Sequence, residues 1–118
     1  EFPPHADEWL IEGQGRVIGY VGMRAPPEFG FILHPDAWGQ GLGAEAAAAY
    51  LVHAFATHDI EAVTADVDPR NSASLKLLAK LGFVETHRAE KTFEINGVWV
   101  DSVYLALSRS DFVAHETV

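Results

Sequence analysis

The sequence predicts an α/β (α+β) domain, helices packed on a mixed, mostly antiparallel sheet, in the order β-β-β-α-β-α-β-β. Three observations predict it. A short apolar strand at residues 28–34 runs through a glycine-rich turn into a long alanine-rich helix. A second strand, residues 60–67, leads to a second helix closed by Gly82. Asn96-Gly97, the strongest short hairpin signal, then separates two long β-rich runs.

Taken in order, residues 2–6 read as an irregular lead-in. Residues 8–12 and 16–23 are β-rich and split by Gly13-Gln14-Gly15, which makes a hairpin. Arg24-Ala25-Pro26-Pro27 breaks the pattern before the strand at Glu28. From Gly41 to about His58, Ala44, Ala46 to Ala49, Leu51, Ala54 and Ala56 give high helix propensity. Their spread round the circumference predicts burial on more than one face. His58-Asp59 ends the helix, and Asp68-Pro69-Arg70-Asn71-Ser72 forms a turn and cap. Residues 74–81 form the next helix, with Gly82 at the C′ position. Strands at 83–95 and 98–107 close the domain, and residues 109–118 read as a loose tail. The central strand–helix–strand unit should be a right-handed parallel crossover.

With 118 residues the chain is large enough for one core and not for two. Apolar residues make up 48% and charged ones 21%, which argues against disorder. Cysteine is absent, so a disulfide framework, a thiol nucleophile and a thiolate metal site are all excluded. That fits a reducing, cytoplasmic setting, and neither a membrane-spanning run nor a signal peptide is visible. A formal net charge of −9 disfavours nucleic-acid and anionic-membrane partners, which need a basic face. It would attract a cationic substrate such as an amine. Because the chain starts at Glu1 and not methionine, a missing N-terminal portion is expected.

The glycine turn is the first functional signal. A strand that delivers glycines onto a helix N-terminus gathers unpaired backbone N–H groups in one concavity, which the helix dipole makes attractive to phosphate. The same turn would also serve as a plain tight connection needing positive φ. Gly39-x-Gly41-x-x-Ala44 also fits the loose dinucleotide fingerprint. Five residues separate it from its strand, however, and the chain is too short and too antiparallel for a doubly wound sheet.

Three motifs in this order carry a resemblance. They are Glu28-Phe-Gly-Phe-Ile-Leu-His-Pro with Trp38-Gly-Gln-Gly-Leu-Gly-Ala-Glu-Ala46; Asn71-Ser-Ala-Ser74 leading to Lys80-Leu-Gly-Phe83; and Ile95-Asn-Gly-Val-Trp-Val-Asp-Ser-Val-Tyr104. The chain resembles the GNAT superfamily of acetyl-CoA-dependent N-acetyltransferases, and within it the RimJ/RimL-like branch. The superfamily's Q/R-x-x-G-x-G/A motif is matched at Gly41 and Gly43, with Trp38 at the usual Gln or Arg. Members begin with a further strand and two helices, and this chain starts near their second strand.

The resemblance implies that backbone amides from Trp38 through Gly39, Gln40, Gly41, Leu42 and Gly43 to Ala44 grip the pyrophosphate of acetyl-CoA. It implies that the Asn71 side chain bonds the pantetheine arm, although Asn there is equally a helix cap. Ser74 stands where RimL-like enzymes protonate the departing thiolate; the tyrosine other members use one turn later is Leu78 here. Glu28 and Asp66 match two positions used for a general base, and each is otherwise an edge or surface carboxylate. Strand 28–34 should splay from strand 60–67 to admit the arm like an extra strand. A backbone N–H at Leu33 or His34 would then face the thioester carbonyl.

The remaining candidates carry less. Six histidines show no ligand spacing, and His53 and His58, five apart on one helix, should point in different directions. No metal is expected. Trp9, Trp99 and Tyr104 read as core or sheet-face residues. Arg70, Lys76 and Lys80 are the cations near the expected cofactor, or a solvated helix face. The implied activity is acetyl transfer from acetyl-CoA to a primary amine by direct attack in a ternary complex. The alternatives are a non-catalytic acyl-CoA-binding or regulatory module and a dinucleotide-binding oxidoreductase fragment. A homodimer is the expected assembly, since another copy could cover the alanine-rich helix and sheet edges.

Overall fold

A computed structural model describes residues 7–13, 15–37, 39 and 41–116, with backbone alone at 36 and 113–116. The lead-in expected at residues 2–6 lies outside the described residues. Contacts gather in two units, residues 1–61 and 62–118.

In the first unit β1 (Asp7–Gly13), β2 (Arg16–Ala25) and β3 (Glu28–Leu33) form an antiparallel meander. The break at 24–27 is tighter than the sequence suggests. Strand β2 runs on to Ala25, and Pro26-Pro27, joined by a cis peptide bond, reverses the chain so that Ala25 faces Glu28. Prolines suit that place because they have no N–H to give a ladder. Register puts Trp9, Val21 and Phe31 in one row, and Glu8, Gly22 and Gly30 in the next, on the opposite face. Gly22 is obligatory in that row, since a Cβ would strike the Asp7 carbonyl and the Glu8 backbone.

A 3₁₀ turn at Pro35–Ala37 leads to α1 (Leu42–Thr57). Burial here corrects the expectation from sequence. The buried residues are Ala47, Tyr50, Leu51, Ala54 and Phe55, a single stripe spaced i, i+3, i+4, i+7, i+8, and Val52 is left exposed. Alanine favours the helix without requiring burial, so its even distribution marks propensity and not packing.

Helix and first strand are tied by a polar clamp. Trp9 meets Tyr50 edge-on, ring centroids 5.2 Å apart, and leans on His53 at 4.8 Å. The fully buried Tyr50 donates its hydroxyl to the Asp7 carbonyl at 2.9 Å. Burial above all, helped by the charge and the side-chain hydrogen bonding of Asp7, pushes the phenol far above its usual range and keeps it a donor. Oδ2 of Asp7 lies 2.8 Å from Nε2 of His53 and 2.9 Å from Nε2 of His58. The two histidines therefore converge, contrary to their helical spacing. The reason is that His58 has left the helix: as C-cap it is extended, φ −109° and ψ 135°. Burial alone would raise the Asp7 pKa, but hydrogen bonds from His58 and His53 outweigh it and hold the group below its ordinary value. Among the described residues no group of three His, Asp or Glu is arranged to hold a metal ion.

In the second unit β6 (Val98–Ser108) is central, antiparallel to both β4 (Ala62–Val67) and β5 (Val84–Ile95). Strands β4 and β5 are therefore parallel to each other, with α2 (Ser72–Leu81) in the crossover between them. Asn96 and Gly97 take φ of 49° and 80°, the mirror-image turn that matches strand twist. Strand β6 supplies the core with Val100, Val103, Leu105 and Leu107, while β5 is an exposed edge. Residues expected as a loose tail instead form α3 (Arg109–Glu116), with residues 117 and 118 outside the described range. Ser108 caps it by accepting the Asp111 N–H at 3.1 Å, and Phe112 is buried. Among the described residues no helix is long and apolar enough to cross a membrane.

The clamp predicts a signed pH effect. A depressed carboxylate pKa stabilises the fold above the unfolded-state pKa, and the contribution disappears as pH falls through the native value. Asp7→Asn should cost about 1 kcal/mol at pH 7 in urea titrations, the gap closing as pH falls below the ordinary carboxylate range. A gap that persists at acid pH would assign the loss to packing.

Candidate active site

The turn after β3 ends in an unusual helix start. Gly41, the N-cap of α1, sits at φ 75°, ψ 1°, a left-handed conformation that a side chain would strain, and no side chain among the described residues caps the helix. The first helical bond runs from the Glu45 N–H to the Gly41 carbonyl at 3.0 Å. The N–H groups of Leu42, Gly43 and Ala44 precede it and have no carbonyl within the helix to meet. Gly39, also at φ 75°, is exposed like Gly41. Trp38 and Gln40 lie outside the described residues. Donors that no described side chain caps, at the positive end of a sixteen-residue helix, fit a diphosphate.

The end of β3 departs from expectation at His34. Its backbone N–H donates to the Ile18 carbonyl at 2.6 Å, so it belongs to the β2 edge and is not an oxyanion donor. Leu33, half-buried, closes the strand opposite Gly19. Glu28 opens β3, exposed, and its carboxylate has no hydrogen-bond or ion-pair partner among the described residues.

In the second unit Asn71 and Ser74 come together. Asn71 is the N-cap of α2, its Oδ1 accepting the Ser74 N–H at 3.1 Å. The capping role is thus occupied by the oxygen, and the carboxamide NH₂ stays available as a donor. Ser74 is half-buried in the first turn, and its hydroxyl has no partner among the described residues. Leu78, one turn on, is 1% exposed and belongs to the core. Asp66 is exposed on β4 opposite Tyr104. Arg70 does not serve as a free cation. Its guanidinium grips Asp68, with Nε 3.0 Å from Oδ1 and a terminal nitrogen 2.6 Å from Oδ2. Hydrogen bonds from Arg70 hold the Asp68 carboxyl below its usual range. Lys76 and Lys80 remain exposed on α2.

Sequence reasoning missed two groupings. One is the Asp7–His53–His58 clamp, hidden by the helix ending at Thr57. The other is Glu8 with Arg24 on the face away from α1, visible only once the β1–β2 register pairs Glu8 with Gly22. Trp9 does pack on a sheet face, Tyr104 stacks on His87 with centroids 4.4 Å apart, and Trp99 is 55% exposed.

Known proteins resemble this chain. A family model described as "Acetyltransferase (GNAT) domain" matches residues 3–84. The Bacillus subtilis (strain 168) protein named "Probable N-acetyltransferase YjcK" is 35% identical over 82 residues, which is 70% of this chain and 45% of that one. The crystal structure of a ribosomal-protein-S5-alanine acetyltransferase from Vibrio fischeri is 28% identical with a TM-score of 0.79, covering 91% of this chain and 63% of its own. A spermidine N-acetyltransferase from Vibrio cholerae, in complex with CoA and spermine, superposes with a TM-score of 0.82 at 21% identity, covering 93% of this chain and 69% of its own. That last likeness speaks for the fold. The chain spans less than half the length of YjcK.

Two substitutions at one position separate the roles of Asn71. Asn71→Ala removes the cap and should cost about 1 kcal/mol of stability. Asn71→Asp keeps the acceptor but removes the NH₂, so stability should hold while CoA binding weakens in calorimetry. Equal CoA binding by wild type and Asn71→Asp would leave capping as the whole role.

Proposed function

Because the chain belongs to the GNAT acetyltransferase family and has its α+β fold, with strands and helices in the order β-β-β-α-β-α-β-β before α3, we propose that it transfers acetyl from acetyl-CoA to a primary amine. The observation that carries this reading is the glycine-started, uncapped N-terminus of α1. We place the chain in the RimJ/RimL-like branch. Transfer goes by direct attack, without an acyl-enzyme.

Bound acetyl-CoA supplies an activated acyl carbon; everything else falls to this chain. Backbone N–H groups at Gly39, Gly41, Leu42, Gly43 and Ala44 hold the diphosphate, with Trp38 and Gln40 assigned to the same turn by the motif. They do so against a net charge of −9, so the grip is local and backbone-made. The NH₂ of Asn71 holds the pantetheine arm. An ammonium has no lone pair, so a carboxylate, Glu28 or Asp66, takes its proton directly or through water. The freed nitrogen forms the bond to the acyl carbon as the C–S bond breaks. Ser74 gives the departing sulfur a proton and recovers one, through water, from the acylated nitrogen. The ammonium's first proton having gone to the carboxylate, the products are a neutral acetamide and CoA with its thiol. Holding both reactants in one orientation supplies much of the acceleration.

Thiol release from acetyl-CoA should require an amine and yield its acetamide. Ser74→Ala should lower kcat by about 10²-fold or more while KM for acetyl-CoA stays put. Unchanged kcat would remove Ser74 from the chemistry, and amine-independent thiol release would contradict transfer.

A further inference from the structure

On the face of the β1–β3 meander turned away from Tyr50, a cleft of about 370 Å³ is bounded by Glu8, Gly22, Arg24, Glu28, Gly30 and Ile32. Its floor exists because Gly22 and Gly30 stand directly opposite each other, leaving a gap in the layer of side chains. Only one of the two glycines opens onto free space: a Cβ on Gly30 would meet no heavy atom within 4 Å. Next to this gap the same face presents Leu10 and Ile32, 68% and 56% exposed, flanking Tyr20 in one row.

Charge in the cleft is uneven. The Glu8 side chain is only 9% exposed and bonded to Arg24, Nε to Oε1 at 3.0 Å, so those two charges offset each other. The Glu28 carboxylate lines the same cleft and has no partner among the described residues. One uncompensated negative charge beside an apolar strip matches a cation on an apolar stem. An acidic or zwitterionic ligand would bring its own carboxylate against Glu28.

We infer that this cleft seats the acceptor, and that the acceptor it selects is a primary alkylammonium. The ammonium sits on Glu28 and the unbranched stem crosses the Gly22–Gly30 floor toward Ile32. This deepens the amine-acetyltransferase reading and rests on it. Gly30 is the specificity-determining position, because any side chain there occupies the stem's path without straining the backbone.

Amide chemical shifts on the whole chain test the inference, with n-butylamine as probe and n-butanol and norleucine as neutral and zwitterionic controls. Butylammonium should shift Gly22, Gly30 and Ile32 saturably, and the controls should not. Glu28→Gln should weaken that binding about tenfold or more. Gly30→Val should abolish it while acetyl-CoA still shifts the α1 amides, which also shows that the variant is folded. Shifts equal for butanol, scattered over the surface, or unchanged in both variants overturn the inference. Acetyl-CoA shifts at α1 with an unmoved cleft overturn the cleft alone; silence of both ligands overturns the enzyme reading as well.

Discussion

Three peptide N–H groups at the start of α1 point out of a helix that no side chain among the described residues caps. Most helices spend a Ser, Thr, Asp or Asn at this place, and this one spends a glycine in the left-handed region. The same geometry that forfeits a capping hydrogen bond opens the turn. An acidic protein with Arg70 already committed to Asp68 has few side-chain cations to offer a diphosphate. Backbone donors and the dipole remain, and they are unaffected by net composition. The proposed chemistry depends on that economy of means: one helix end fixes the diphosphate and thereby the reach of the acyl group.

The first unit keeps that helix in position from its other end. Asp7 takes hydrogen bonds from Tyr50 through its carbonyl and from two imidazoles through its carboxylate, so β1 is fastened along two turns of α1. The interaction stacks a buried hydroxyl, Trp9 and two histidines on one strand end. The opposite face of the same meander stays open, with glycines where side chains would otherwise fill the layer. One sheet therefore has a packed face that holds the helix and an opposite face whose cleft we infer to seat the acceptor.

Much of this was legible in the residues. Asn96-Gly97, the glycine at 82 and the alanine run each state a local preference strong enough to survive folding, and the elements they announce are all present. The glycine turn was legible because positive φ leaves a compositional trace. What escaped was set by tertiary detail. The His53–His58 meeting depends on one extended residue at a helix end, and the alanine pattern concealed a single buried stripe. The fate of the His34 N–H required the β2–β3 register, and α3 was missed because its cap is one serine at the end of a strand. The cleft needed two strand registers at once, which no single stretch of sequence carries.

Backbone amide shifts of Gly41, Leu42, Gly43 and Ala44, followed during titration with CoA and separately with pantetheine, test the central claim most directly. Pantetheine is the same arm without its diphosphate. The account has these four amides move with CoA and stay in place with pantetheine. Amides unmoved by CoA, or moved equally by both, would contradict it.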